Sequence, residues 1–202
     1  MEESKDSYLS IEAESRAVFR DKASKFLAVA LPVTSEEEIK VQLEALRKVY
    51  YDANHHCYAY RLGLENHANR ANDDGEPAGS AGKPIYGQIL SKELSDVLVV
   101  VIRYFGGTKL GIPGLINAYK TSAREALDQA VTIEKIVMTP LRVAFDYPMM
   151  NEIMRILKED GIKITNQTSM ERCEIDFQIR RSLTGKIENR FSRLRNISLT
   201  RI

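Results

Sequence analysis

Arg103-Tyr104-Phe105-Gly106-Gly107-Thr108-Lys109-Leu110-Gly111-Ile112-Pro113-Gly114 follows an apolar run at 97–102 and precedes a helical pattern over 115–131. A buried strand therefore runs into a glycine-rich turn, and the turn into a helix with Pro113 near its start. A helix N-terminus leaves its first backbone N–H groups unpaired and carries partial positive charge. Glycines let the backbone approach an anion closely and reach the positive φ that forms a nest of N–H donors. Lys109 adds a mobile full charge beside them. The stretch reads as an anion-binding turn for phosphate, formed by Arg103, Gly106, Gly107, Lys109, Gly111 and Gly114. Four glycines and a proline equally suit a tight turn under close packing. The spacing is not the Gly-x-Gly-x-x-Gly of dinucleotide binding. At Gly82-Lys83 a P-loop fails too, with Pro77 and Pro84 at two of its fixed positions.

Upstream of this stretch, the residues to about position 11 read as frayed, and 17–30 as two short strands around Asp21-Lys22-Ala23-Ser24. Thr34-Ser35-Glu36-Glu37-Glu38 is a helix start: Ser35 and Glu38 have capping-box spacing, and acids fill the first turn. Ile39, Leu43 and Leu46 give that helix a buried stripe. Residues 55–62 read as a strand, and 63–84, rich in Gly, Asn, Asp and Pro, as a long loop of the functional kind. A short helix is expected over 85–93. Downstream, strand, helix, strand, strand, helix and strand succeed one another from 141 to 202, the ferredoxin-like split pattern. The domain boundary falls near 134–138.

The 202 residues are 44% hydrophobic and 28% charged, an ordinary balance for a globular protein. No apolar run approaches the roughly 18 residues of a membrane helix. The polar, acidic first residues are unlike a secretory signal. Cys57 and Cys173 are far apart and suit a reducing compartment, so a cytoplasmic protein without a membrane partner is expected. The net charge is +1, unevenly spread: residues 141–202 hold 12 Lys/Arg and 8 Asp/Glu, residues 1–140 hold 17 and 20. The helix carrying Lys186, Arg190 and Arg193 is a candidate second phosphate contact, or else a solvated face.

Three segments resemble the YigZ/IMPACT family: His55-His56-Cys57-Tyr58-Ala59-Tyr60-Arg61, Asp73-Asp74-Gly75-Glu76-Pro77-Ala78-Gly79-Ser80-Ala81-Gly82, and residues 103–114. Ser24-Lys25-Phe26 fits the family's early strand. Ser80 stands where Thr is usual, and Asn117 where a basic residue is common. The resemblance implies an α+β protein of two domains. Residues 1–135 would be like the second domain of ribosomal protein S5 and domain IV of elongation factor G. Residues 138–202 would be ferredoxin-like, similar to domain V of that factor. Eukaryotic relatives regulate translation by binding a ribosome-associated activator of an initiation-factor kinase, through an extra N-terminal domain. Family motifs begin within about the first 25 residues here, so that domain and that kinase-regulatory role are not expected.

Asp73, Asp74 and Glu76 form a dense carboxylate group. It suits either a hard-cation or acid–base site, or a loop held by carboxylates on backbone N–H groups and on Arg103 or Lys109. An EF-hand is excluded, since Arg70 would occupy its first ligand position. His55, His56 and Cys57 lack finger spacing to His67 or Cys173, so neither metal nor cofactor is expected. His56 and Ser80 complete the candidate functional loop. Arg61, Lys83 and Tyr104 extend the basic surface, with Tyr58 or Tyr60 available to stack on a base or to fill the core. The leading expectation is a non-catalytic, translation-linked protein that binds RNA or the ribosome. The alternatives are a metal-dependent enzyme acting on a phosphorylated small molecule or peptide, and a protein-interaction adaptor.

Overall fold

The computed structural model describes residues 6–64, 68–169 and 172–202, and the chain is α+β. It divides into two compact units, one of residues 8–135 and one of residues 136–202 together with residues 6–7.

In the larger unit, β2 (Ser15–Asp21), β3 (Ser24–Pro32), β4 (His55–Leu62), β5 (Ala68–Asn72) and β6 (Val97–Tyr104) form one antiparallel sheet in the order β2-β3-β6-β4-β5. Helices cover both faces. Helix α1 (Glu36–Val49) places Ile39, Leu43 and Leu46 on Leu27, Val29, Tyr58, Tyr60, Leu98 and Val100. Helices α2 (Gly82–Ser91) and α3 (Gly111–Gln129) cover the opposite face, on Phe26, Ala28, Cys57, Ala59, Val99 and Val101. Central strands buried on two sides need apolar residues at every position, which is why β3 and β6 read as unbroken apolar runs rather than alternations. Helix α1 begins at the expected cap: Ser35 Oγ accepts from Glu38 N–H at 3.1 Å, while Glu38 Oε2 accepts at 2.8 Å from Thr34 N–H, one residue before the N–H that a capping box uses.

Two strands differ from expectation. Residues 7–11 are not frayed but form β1 (Ser7–Ile11), paired with β7 (Thr132–Ile136). Ser10 and Ile11 are buried there, and Ser95 N–H donates to Leu9 O at 2.8 Å, contacts made with chain far away in sequence. Strand β5 lies inside the expected loop. Its Ala-Asn-Arg-Ala-Asn has no apolar alternation; β5 is held by its pairing with β4 and by the close approach of Gly82 in α2 to Asn72.

In the smaller unit, β8 (Met138–Phe145), α4 (Met150–Glu159), β9 (Ile164–Ser169), β10 (Cys173–Arg180), α5 (Thr184–Phe191) and β11 (Ile197–Arg201) follow the expected order. The antiparallel sheet runs β11-β8-β10-β9. Strands β8 and β10 alternate as one-sided burial requires. Leu141, Val143, Phe145, Ile175 and Phe177 meet Ile153, Ile156, Leu157, Ile187 and Phe191 of the two helices. On the other face Arg142 holds Asp176 by two hydrogen bonds of 2.6 and 2.9 Å. The first residues add to this unit: Val137 N–H donates to Asp6 O at 2.7 Å, and Arg180 lies 3.8 Å from the Asp6 carboxylate.

Candidate functional site

Strand β6 ends at Tyr104, and the chain crosses residues 105–110 before α3 begins at Gly111. The turn is tied down on two sides. Phe105 N–H donates to Asn54 Oδ1 at 2.7 Å, and Gly106 N–H donates to Ser24 Oγ at 3.1 Å. At Gly106 a Cβ would stand 2.1 Å from the carbonyl carbon of Ala23, so this glycine serves close backbone approach to the β2–β3 hairpin. Its N–H is thereby spent on Ser24 rather than held free for an anion. Gly111 has φ +72°, a left-handed conformation that lets the chain turn into α3. No side chain caps that helix at its N-terminus.

Beneath the turn lies a pocket of about 460 Å³ lined by Asn54, His55, Glu76, Pro77, Arg103, Phe105, Lys109, Leu110, Gly111, Ile112 and Leu115. Its floor is polar and almost dry. The side chains of Glu76 and Arg103 are 4% and 7% exposed, and Arg103 Nη1 meets Glu76 Oε1 at 2.5 Å. Tyr119 donates its hydroxyl to the same oxygen at 2.7 Å. The Arg103 guanidinium lies between two rings, 5.5 Å from the centroids of both Phe26 and Phe105. Its Nε is buried without an acceptor. A buried donor left so costs about 1–3 kcal/mol.

His55 lines the same pocket. Its Nδ1 is 2.8 Å from Asp74 O; a carbonyl only accepts, so Nδ1 is the donor. Its Nε2 stands 3.9 Å from Glu76 Oε1. Burial pushes the neighbouring Cys57 thiol up to about 12 and drives the Tyr119 hydroxyl well above its ordinary value, so both stay neutral.

The acidic loop is held as a structure in its own right. Asp73 accepts from Gly79, Ala81 and Gly82 N–H at 2.8, 3.0 and 2.8 Å. Burial pushes its carboxyl upward, but the three N–H bonds outweigh that and leave it below the usual carboxylate range. Asp74 accepts from His56 N–H at 2.7 Å and pairs with Arg47 at 3.3 Å. All three carboxylates are thus engaged within the protein, Glu76 on Arg103. Among the described residues no group of three His, Cys, Asp or Glu is placed to hold a metal ion; His67 lies outside them.

The structure therefore gathers Arg103, Lys109 and Gly111 of the turn with Glu76 of the loop around one pocket. Gly106 and Gly107 shape the turn and Gly114 lies in the first turn of α3, none of them lining the pocket; Asp73 and Asp74 hold the loop behind it, where Ser80 is buried. His56 is turned away from the pocket and burial lowers its pKa, while His55 faces in. Strand alternation already separated the two histidines, but only the placement of α2 and α3 decides which face carries the pocket. Asn54, Phe105 and Ile112 had no motif to mark them. Tyr58 and Tyr60 are buried under α1, so they are core residues rather than stacking platforms. In the smaller unit, Lys186 and Arg190 pair with Asp160, and Arg190 also with Glu159, at the C-terminus of α4.

The model of the Impact N-terminal domain family matches residues 22–127, more than half of the chain. The chain belongs to the IMPACT family. The IMPACT family member YvyE of Bacillus subtilis is 32% identical over 173 residues, covering 86% of this chain and 80% of that protein. The IMPACT family member YigZ of Escherichia coli is 34% identical over 147 residues, 72% of each chain. A crystal structure described as that of a hypothetical protein shares 28% identity over 98% of both chains, with a TM-score of 0.74. Every residue lining the pocket falls inside the segment matched to the IMPACT family.

Proposed function

We propose that this IMPACT-family protein is a translation-linked regulatory protein that binds RNA or the ribosome, holding phosphate with Lys109 and the N-terminus of α3. Lys109 carries the reading. It has no ion pair among the described residues, and it stands at the pocket beside an uncapped, electropositive helix end. The charge of Arg103 next to it is already met by Glu76, so Lys109 supplies the net attraction for an anion. The translational context comes from the family resemblance. The helix α5 is the lesser contact in this reading, since Lys186 and Arg190 would first have to leave Asp160, whereas Arg193 has no ion pair among the described residues.

Co-sedimentation with ribosomes at low and moderate salt, with Lys109→Glu beside the wild type, tests it. Salt-sensitive pelleting is expected. The Lys109→Glu substitution should weaken it and lower the slope of log affinity against log salt by about one, because each phosphate contact releases counterions. Wild-type protein that stays in the supernatant at low salt would remove ribosome binding. Pelleting untouched by Lys109→Glu would remove the turn from the interface.

A further inference from the structure

We infer that the pocket beneath the turn receives one unstacked base of an RNA strand, so that the site takes single-stranded rather than duplex RNA. The inference rests on the phosphate reading of Lys109 and adds what lies below the phosphate. A duplex offers phosphates on its outside and keeps its bases paired, so it can meet Lys109 without entering the recess. A single strand can do both.

Three features fit a base. The volume, about 460 Å³, is in the range of small-molecule sites and has room for a base with its ribose. The walls are apolar, from Pro77, Leu110, Ile112 and Leu115. Phe105 offers an aromatic surface: it remains 45% exposed although the Arg103 guanidinium lies 5.5 Å from its ring centroid. A ring polarised by a cation on one side is a platform on which any base can stack. An inorganic phosphate alone would leave the apolar walls and the Phe105 ring without a partner.

The experiment is fluorescence anisotropy with a labelled RNA of mixed sequence, about 12 nucleotides long, within the span of such grooves. It is measured alone and annealed to its complement, on wild type, Phe105→Ala, Phe105→Tyr and Lys109→Glu. Unlabelled nucleoside monophosphates and inorganic phosphate serve as competitors. Single-stranded RNA should bind at least about tenfold more tightly than duplex, and Phe105→Ala should remove about tenfold of that affinity. Phe105→Tyr, which keeps the ring, should keep the affinity. Phe105 is half-exposed, and an unchanged thermal melt of Phe105→Ala confirms that the loss is not unfolding. Equal binding of duplex, or an unchanged affinity in Phe105→Ala while Lys109→Glu still weakens, overturns the base pocket and leaves the phosphate site standing. Insensitivity to both substitutions overturns both. Monophosphates that bind as tightly as the strand would assign the pocket to free nucleotides and overturn the RNA inference.

Discussion

Glu76 shows how one side chain joins the fold to the site. Its Oε1 takes a guanidinium N–H and a tyrosine hydroxyl in a place where water scarcely reaches. Taking a charge out of water is unfavourable unless it is paired and hydrogen-bonded, and Arg103 and Tyr119 do both for Glu76. Removing one partner is therefore worse than never having had the pair. Glu76→Gln keeps the shape and leaves Arg103 as an unmatched buried cation, at a cost of roughly 3 kcal/mol. Urea unfolding should show a lower midpoint at unchanged slope; a loss below about 1 kcal/mol would mean that the pair is not a structural element. The sequence displayed Asp73, Asp74 and Glu76 as one acidic cluster. It could not display their separate duties, because their partners come from 6 to 43 residues away along the chain. His55 was passed over beside His56 for the same reason. The two differ only in which face of β4 they occupy.

At the scale of elements, local rules predicted well wherever the partner is local. The start of α1 is decided by Thr34, Ser35 and Glu38 alone. Ser35→Ala should cost about 1 kcal/mol, read as a lower melting temperature with no change at the pocket. No loss would mean that water satisfies the Glu38 N–H as well as the Ser35 hydroxyl does. The turn after β6 was visible as glycines, yet its glycines divide the work. Gly106 is required by Ala23 and Ser24 of another hairpin, and Gly111 by the backbone conformation at the head of α3. Strands β1 and β5 escaped notice because neither carries an alternation. Edge pairing holds both, and a backbone hydrogen bond leaves no mark in side-chain type.

For the whole molecule, pH separates the two units. Asp6, Asp160 and Asp176 lie in the smaller unit, and each carboxyl is held below its ordinary value chiefly by a side-chain hydrogen bond, from Ser182, Lys186 and Arg142 in turn. In the larger unit Asp73 is likewise depressed, against the upward push of burial, by its backbone donors. A carboxylate whose folded value lies below the unfolded one, near 3.9, adds stability that is complete above the unfolded value and lost as pH falls through the folded one. Acidification below about pH 4 should therefore destabilise the smaller unit more than the larger. Thermal melts followed by NMR at Val143 and Phe177, against Val99 and Val101, check the order. Larger loss at Val99 and Val101 would contradict it.

The sequence by itself determined the α+β class, the ferredoxin-like order of the smaller unit, the family and the strand–turn–helix at 97–129. The family rests on the resemblance of three segments; the order of elements and the strand–turn–helix depend on periodicity, capping and turn chemistry that act over a few residues. Only the tertiary structure decided that Arg103 faces Glu76, that Tyr58 and Tyr60 fill the core, and that Lys186 and Arg190 are already paired. It also decided that Asn54, His55, Phe105 and Lys109 meet at one pocket. A pocket is where distant segments converge, and packing two layers of helices on one sheet sets that convergence, which no local pattern encodes.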